Sequence, residues 1–154
     1  MANCARAVAS ILIVLLGAAF AVPPGVAGEA KSVNAGSDKV AIKGYDPVAY
    51  FTKGQPMKGK RDVAYTWNGA EWRFANATHR DLFAGSPEHY APQFGGFCSM
   101  ALARGKIKDI DPEAWIIVDG KLYLNFNKPV REKFRENAHS YIAKAEENWK
   151  KLRK

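Results

Sequence analysis

The chain has 154 residues, of which 47% are hydrophobic and 25% charged, and its formal net charge is +8. This length accommodates one domain of ordinary size, so a multidomain enzyme is excluded. The hydrophobic fraction suffices for a buried core, so a disordered chain is not expected. The chain has only two cysteines, which excludes a disulfide-stapled scaffold and a zinc site made of cysteines alone.

The first 28 residues have the pattern of a secretory signal peptide. Arg6 supplies a positive charge, and the run Val8–Val22 that follows carries none. The run is too short for a membrane-spanning helix and ends at Pro23–Pro24. We therefore predict cleavage near residue 28, loss of Cys4 with the peptide, and a periplasmic or secreted protein.

After the signal peptide, residues 29–38 predict a flexible lead-in, and residues 39–154 predict the folded domain. Val40–Ile42 has the composition of a short strand. Asp46–Pro47 then combines a helix-capping side chain with a proline suited to the first helical position. One apolar helical turn is predicted over Val48–Phe51.

Two pairs of short runs rich in aromatic and β-branched residues predict antiparallel hairpins. Each pair flanks a dipeptide that tolerates the positive φ angles of a tight type I′ turn. The runs are 64–67 and 71–74 around Asn68–Gly69, and 115–118 and 121–124 around Asp119–Gly120.

Helices are predicted between and after the hairpins. Asn76 caps a helix through Phe83, Ser86–Pro87 opens another turn, and Ser99–Ala103 forms a short apolar helix. From Val130 to Trp149, apolar residues recur at spacings of three and four, which predicts one long amphipathic helix. Two hairpins with separate helices predict an α+β fold rather than a parallel sheet.

The positive charge is concentrated at the C-terminal end. Residues 128–154 contain nine basic and four acidic side chains. In an exported protein this pattern predicts a solvated helix face, or attraction to an anionic membrane surface or an acidic partner. We expect no nucleic-acid partner.

The candidate metal ligands are soft or borderline donors. Cys98, the one cysteine outside the signal peptide, lies two residues before Met100 and at the predicted start of a helix. Cu(I) accepts two or three thiolate, thioether or imidazole ligands, so Cys98 could bind it with Met100, His79 or His89. The alternative is that Cys98 is an inert buried side chain and that each histidine is an ordinary polar residue.

Four separated motifs give the chain a family resemblance. It resembles the exported, single-domain YHS proteins of bacteria in residues 44–51, 72–74, 87–98 and 119–125. The wider YHS group is similar to metal-sensing and metal-trafficking modules, so the resemblance implies metal handling. The cysteines of those modules are replaced here by Ala49 and Ala75, and of that pattern only His79 remains as a possible ligand.

These observations leave three hypotheses. The first is an exported, non-enzymatic protein that handles copper through Cys98, in exchange with a metal transporter or another exported protein. The second is a small-ligand or protein interaction module, with an aromatic pocket near the first hairpin and an inert Cys98. The third is a thiol enzyme, which requires a strongly lowered Cys98 pKa.

Overall fold

A computed structural model describes residues 33–153 of the chain. The predicted signal peptide and the first four residues of the lead-in, 29–32, lie outside these residues. The described part has an α+β fold, as predicted. Its elements are α1 (Pro47–Thr52), β1 (Lys60–Trp67), β2 (Ala70–Phe74), α2 (Ala77–Gly85), α3 (Pro87–Tyr90), α4 (Ser99–Ala103), β3 (Asp111–Val118), β4 (Lys121–Asn125), α5 (Lys128–Glu136) and α6 (Ala138–Leu152).

Both predicted hairpins are present, as two separate two-stranded antiparallel sheets. In the first turn, Asn68 and Gly69 have φ angles of 50° and 72°, and in the second, Asp119 and Gly120 have 50° and 70°. Positive φ at both turn positions matches the twist of the flanking strands. The two dipeptides therefore determine where each hairpin reverses.

The Val40–Ile42 segment differs from the predicted strand. Val40 forms only an isolated bridge to Glu71, and the chain then enters a 3₁₀ turn over Ile42–Gly44. Ile42 and Lys43 have positive φ angles of 40° and 57°, which are unfavourable for side chains with a Cβ and do not occur in strands. The apolar run 40–42 is too short to extend as a strand before this turn, and the buried side chain of Ile42 packs the turn into the core.

The C-terminal segment also differs in one respect, because two helices replace the single predicted one. Asn137 has φ −148° and ψ 52° and separates α5 from α6. Asparagine competes with the helix backbone for hydrogen bonds, which accounts for a break that the apolar spacing does not reveal. α5 packs on the second hairpin, whereas α6 packs on α4.

The core begins with aromatic rings from the first hairpin and α2. The ring of Phe83, which is fully buried, lies 5.2 Å from those of Trp72 and Phe74 and 5.8 Å from that of Trp67. Aromatic contacts at these separations stabilise a core beyond the effect of buried area alone. α2 is thus attached to the inner face of this hairpin.

One buried carboxylate connects the first helices. Asp46 caps α1, where its Oδ1 accepts hydrogen bonds from the N–H groups of Val48 and Ala49 at 2.9 and 3.3 Å. Its Oδ2 accepts from the N–H of Ala75 at 2.9 Å and lies 2.6 Å from Nδ1 of His79. Asp46 is fully buried, so these contacts replace the water that an ionised carboxylate requires.

We expect Asp46→Asn to lower the free energy of unfolding by about 3 kcal/mol, because breaking one side of a buried hydrogen-bonded pair leaves the other side uncompensated. The measurement is urea denaturation followed by circular dichroism. Asp62→Asn is the matched control, because Asp62 is exposed on β1 and such substitutions cost less than about 0.5 kcal/mol. A loss at Asp46 no larger than the control would contradict this role.

Candidate functional site

The four predicted ligands lie in different parts of the fold. His79 is in α2, which packs on α1, α3 and the first hairpin, and His89 is in α3. Cys98 precedes α4, and Met100 is its second residue; α4 packs on β4, α5 and α6. The fold therefore groups Cys98 with Met100 and places both histidines elsewhere.

Both ring nitrogens of His79 already have partners. Nδ1 lies 2.6 Å from Oδ2 of Asp46, and Nε2 lies 3.2 Å from Oγ1 of Thr52. An ionised carboxylate only accepts hydrogen bonds, so Nδ1 carries the proton of the shorter contact. To bind a metal in this arrangement, His79 would have to release Thr52.

The same three side chains have the order of a nucleophile, base and orienting carboxylate. However, the hydroxyl of Thr52 has a single proton, and the carbonyl oxygen of Val48, 3.1 Å from Oγ1, competes with Nε2 of His79 for it and ties Thr52 to its own helix. Asp46, in turn, is occupied as the cap of α1. The arrangement is accounted for as a tether between α1 and α2.

His89 is exposed and packs among aromatic rings. Its ring centroid lies 4.6 Å from that of Tyr90 and 5.3 Å from that of Phe51. These contacts involve the ring faces and edges, and they leave the imidazole outside the cavity described next.

Cys98 and Met100 line one cavity of about 190 Å³. Cys98 is the N-cap of α4, where its Sγ accepts a hydrogen bond from the Ala101 N–H at 3.4 Å. Only 1% of Cys98 and 2% of Met100 is exposed. The side chains of Ala101, Val130 and Phe126 complete the apolar part of the wall. We call this space the thiol cavity.

Three cations line the same cavity: Arg104, Lys106 and Lys108. The chain reverses direction after α4. The N–H of Cys98 then donates to the carbonyl oxygen of Lys108 at 3.0 Å, which holds the basic run 104–108 close to the cysteine. Nζ of Lys108 lies 5.6 Å from the ring centroid of Phe126. Within residues 33–153, no carboxylate pairs with any of the three cations.

In the same region of the chain, two buried polar atoms have no partner among the described residues: Oγ of Ser99, which is in α4, and Nδ2 of Asn125, which is in β4. Oδ1 of Asn125 accepts from the N–H of Met100 at 3.2 Å, so this amide contacts the wall of the thiol cavity directly. Both residues are fully buried. Unpartnered buried polar groups are uncommon in folded proteins.

Burial raises the pKa of the Cys98 thiol, although N–H groups of Ala101, Phe126 and Met100 and the charge of Lys108 act in the opposite direction. The neutral thiol is thus favoured at neutral pH. A nucleophilic cysteine enzyme requires the opposite shift. The third hypothesis from the sequence is therefore not supported by this environment.

Residues 33–153 contain no cluster of three or more His, Cys, Asp or Glu side chains that could hold a metal ion. Within the same part of the chain, no helix has the length and apolar character needed to cross a membrane. Comparisons of the sequence with protein-family models and with curated proteins, and a comparison with solved structures, find no match.

Among the residues that line the thiol cavity, Cys98 and Met100 were predicted from the sequence as ligands, whereas the three cations were not. The basic run 104–108 follows Cys98 by only six residues, so this proximity was the available signal. Phe126 and Asn125 could not be found in the same way, because only the packing of β4 against α4 brings them to Cys98.

We expect Cys98 to react slowly with iodoacetamide in the native state. Since its pKa is raised, the thiolate fraction at pH 7 to 8 is smaller than that of a free thiol with a pKa of about 8.5. The measurement is the alkylation rate against pH in a Cys4→Ser background, with the urea-unfolded chain as control. A native rate equal to or above the unfolded rate at pH 7 would contradict the expected environment.

Proposed function

We propose that this chain is a non-enzymatic, exported soft-metal-binding protein that holds Cu(I) between Cys98 and Met100. The observation that carries the proposal is that both sulfur side chains line one cavity. Thiolate and thioether sulfur are the ligands that favour Cu(I) among common metal ions. Two such donors satisfy a low-coordinate Cu(I) ion, so His79 and His89 are not required.

The raised pKa of Cys98 is compatible with metal binding. A metal ion replaces the thiol proton, so a coordinating cysteine is deprotonated even where the free thiol is neutral. The N–H of Ala101 already points at Sγ and would stabilise the sulfur in its anionic form. Burial of Cys98 protects the thiol until a soft metal ion reaches it.

The cations of the thiol cavity affect which metal ions enter. Arg104, Lys106 and Lys108 repel hydrated divalent cations, and none of the described residues that line the thiol cavity has a carboxylate side chain. The same charges attract an acidic surface of a delivery protein. A metal transporter or another exported protein is the partner that this chemistry suits.

The proposed place of action is the one predicted from the sequence, outside the cytoplasm after removal of residues 1–28. The resemblance to exported YHS proteins supports this location as well as metal handling. On α6, the exposed Lys144, Lys150 and Lys151 supply positive charge toward an anionic membrane surface.

Cu(I) binding is tested by titrating the reduced Cys4→Ser chain in the presence of acetonitrile, an uncharged competing ligand. We expect Cys98→Ser to abolish binding and Met100→Leu to weaken it by roughly tenfold or more, equivalent to at least about 1.4 kcal/mol. Met57→Leu is the matched control, because Met57 lies outside the thiol cavity. Equal binding by the wild-type chain and Cys98→Ser would refute the proposal.

A second candidate function is the binding of a compact multivalent anion in the same cavity, with Cys98 as inert packing. The observation that favours it is that the three cations lining the cavity have no carboxylate partners among the described residues. Like charges held close together are stabilised by an anion between them. This is the ligand-binding alternative predicted from the sequence, at a different position from the aromatic pocket expected there.

The two functions differ in which substitutions they tolerate. For anion binding, Lys106→Gln with Lys108→Gln should weaken the binding of pyrophosphate or citrate by roughly tenfold at low salt, and Cys98→Ser should leave it unchanged. Lys150→Gln with Lys151→Gln removes the same charge from α6 as a control. Isothermal calorimetry gives both affinities. Pyrophosphate binding that is insensitive to the cavity lysines would exclude this candidate.

A further inference from the structure

Three tryptophans from distant parts of the chain line a second cavity, of about 150 Å³. Trp67 lies at the end of β1, Trp72 in β2 and Trp149 near the end of α6. Pro92 and Gly95, from the bend before α4, complete much of the wall. We call this space the tryptophan pocket; it shares no lining residue with the thiol cavity.

The tryptophan pocket offers aromatic surface and hydrogen-bond donors. The rings of Trp67 and Trp72 lie 5.9 Å apart at 56°, and Nε1 of Trp72 donates to the carbonyl oxygen of Trp67 at 3.0 Å. Nε1 of Trp67 and of Trp149 donate to no residue of the described chain. Trp67 and Trp149 are half-buried, so part of each side chain remains exposed, whereas Trp72 is buried.

The charge of the tryptophan pocket has one sign. Among its lining residues within 33–153, Arg153 alone is charged, and its guanidinium forms no ion pair with a described carboxylate. Asn68, in the turn of the first hairpin, adds an exposed amide. Arg153 directly follows the last residue of α6, and its backbone N–H donates to the carbonyl oxygen of Trp149 at 3.2 Å.

We propose that the tryptophan pocket binds a small aromatic carboxylate. An aromatic ring stacks against indoles with a gain beyond its buried area. The carboxylate then accepts hydrogen bonds from Arg153 and from an indole N–H, and a planar guanidinium matches its two oxygens. A quaternary ammonium ligand would also suit indole faces, but the guanidinium repels it.

Phenylacetate is the probe, and phenylacetamide is its uncharged counterpart. We expect a saturable titration that shifts the indole N–H resonances of Trp67 and Trp149 in nitrogen-15 correlation spectra of the full chain. Phenylacetamide should bind to the wild-type chain roughly tenfold more weakly than phenylacetate does. The Arg153→Gln variant should bind phenylacetate roughly tenfold more weakly than the wild-type chain does. Each change removes one charge from a partly exposed contact.

Substitutions at the rim and wall keep the test independent of folding. Asn68→Asp introduces a carboxylate at an exposed turn position that tolerates it, and it should weaken phenylacetate binding by repulsion. Trp149→Leu should abolish binding, although it also removes contacts to Phe94 and Phe97. Arg135→Gln, an exposed arginine on α5, is the matched control and should change nothing.

Four results would overturn the inference. They are no titration, equal affinity for phenylacetate and phenylacetamide, unchanged binding in Arg153→Gln and Asn68→Asp, or preferential binding of benzyltrimethylammonium. Cys98→Ser should leave phenylacetate binding intact. The inference therefore stands or fails separately from the proposed role of the thiol cavity.

Discussion

The carboxylate of Asp46 is the constraint on which the N-terminal half of the fold depends. It accepts hydrogen bonds from three backbone N–H groups and contacts the imidazole of His79, and it is fully buried. A buried charge is tolerated only when hydrogen bonds replace its hydration, and removal of any one partner leaves an uncompensated cost of several kcal/mol. The geometry of α1 relative to α2 is consequently tightly defined. That geometry positions Phe83 against the first hairpin, whose end carries two of the three tryptophans of the tryptophan pocket.

A different device organises the region around Cys98. There the side-chain oxygen of the buried Asn125 accepts a hydrogen bond from the N–H of Met100. The carbonyl oxygen of Lys108 accepts one from the N–H of Cys98. These contacts connect β4, α4 and the basic run that follows α4. Unlike Asp46, Asn125 is left with an unpartnered donor among the described residues. Such a group costs about 1 to 3 kcal/mol, which is tolerable in a fold when a bound molecule or water recovers it. The buried carboxylate of Asp46 thus has a partner for each oxygen, whereas the buried amide of Asn125 has one only for its oxygen among the described residues.

The sequence predicted those elements whose signals are local. The dipeptides Asn68–Gly69 and Asp119–Gly120 adopt the positive φ angles expected of them, and Asp46 and Asn76 cap their helices as expected. Local signals failed where a backbone choice depends on distant packing. The break at Asn137 is one case, since its apolar neighbours keep helical spacing on both sides.

Site assembly was the least predictable part. The contact of His79 with Asp46 spans 33 residues and that of Met100 with Asn125 spans 25, and neither separation has a characteristic residue pattern. Pairings of this kind form only when the hairpins and helices dock, so propensity and periodicity carry no information about them. The sequence therefore pointed to the two sulfur residues but not to the residues that surround them in the fold.

A thiol that is slow to alkylate and yet binds a soft metal involves no contradiction, because the two properties depend on different free energies. Alkylation requires a free thiolate and access for a reagent, and burial of Cys98 lowers both. Metal binding exchanges a proton for a metal ion in one equilibrium, so a strong metal–sulfur bond offsets the energy needed to ionise the thiol.

The basic run adds a second condition: Arg104, Lys106 and Lys108 disfavour any ligand whose binding leaves net positive charge in the thiol cavity. A Cu(I) ion bound to one thiolate and one neutral thioether adds no net charge beyond that of the original thiol. The proposed preference for Cu(I) over divalent ions therefore rests on the charge of the cavity wall as well as on the two sulfur atoms.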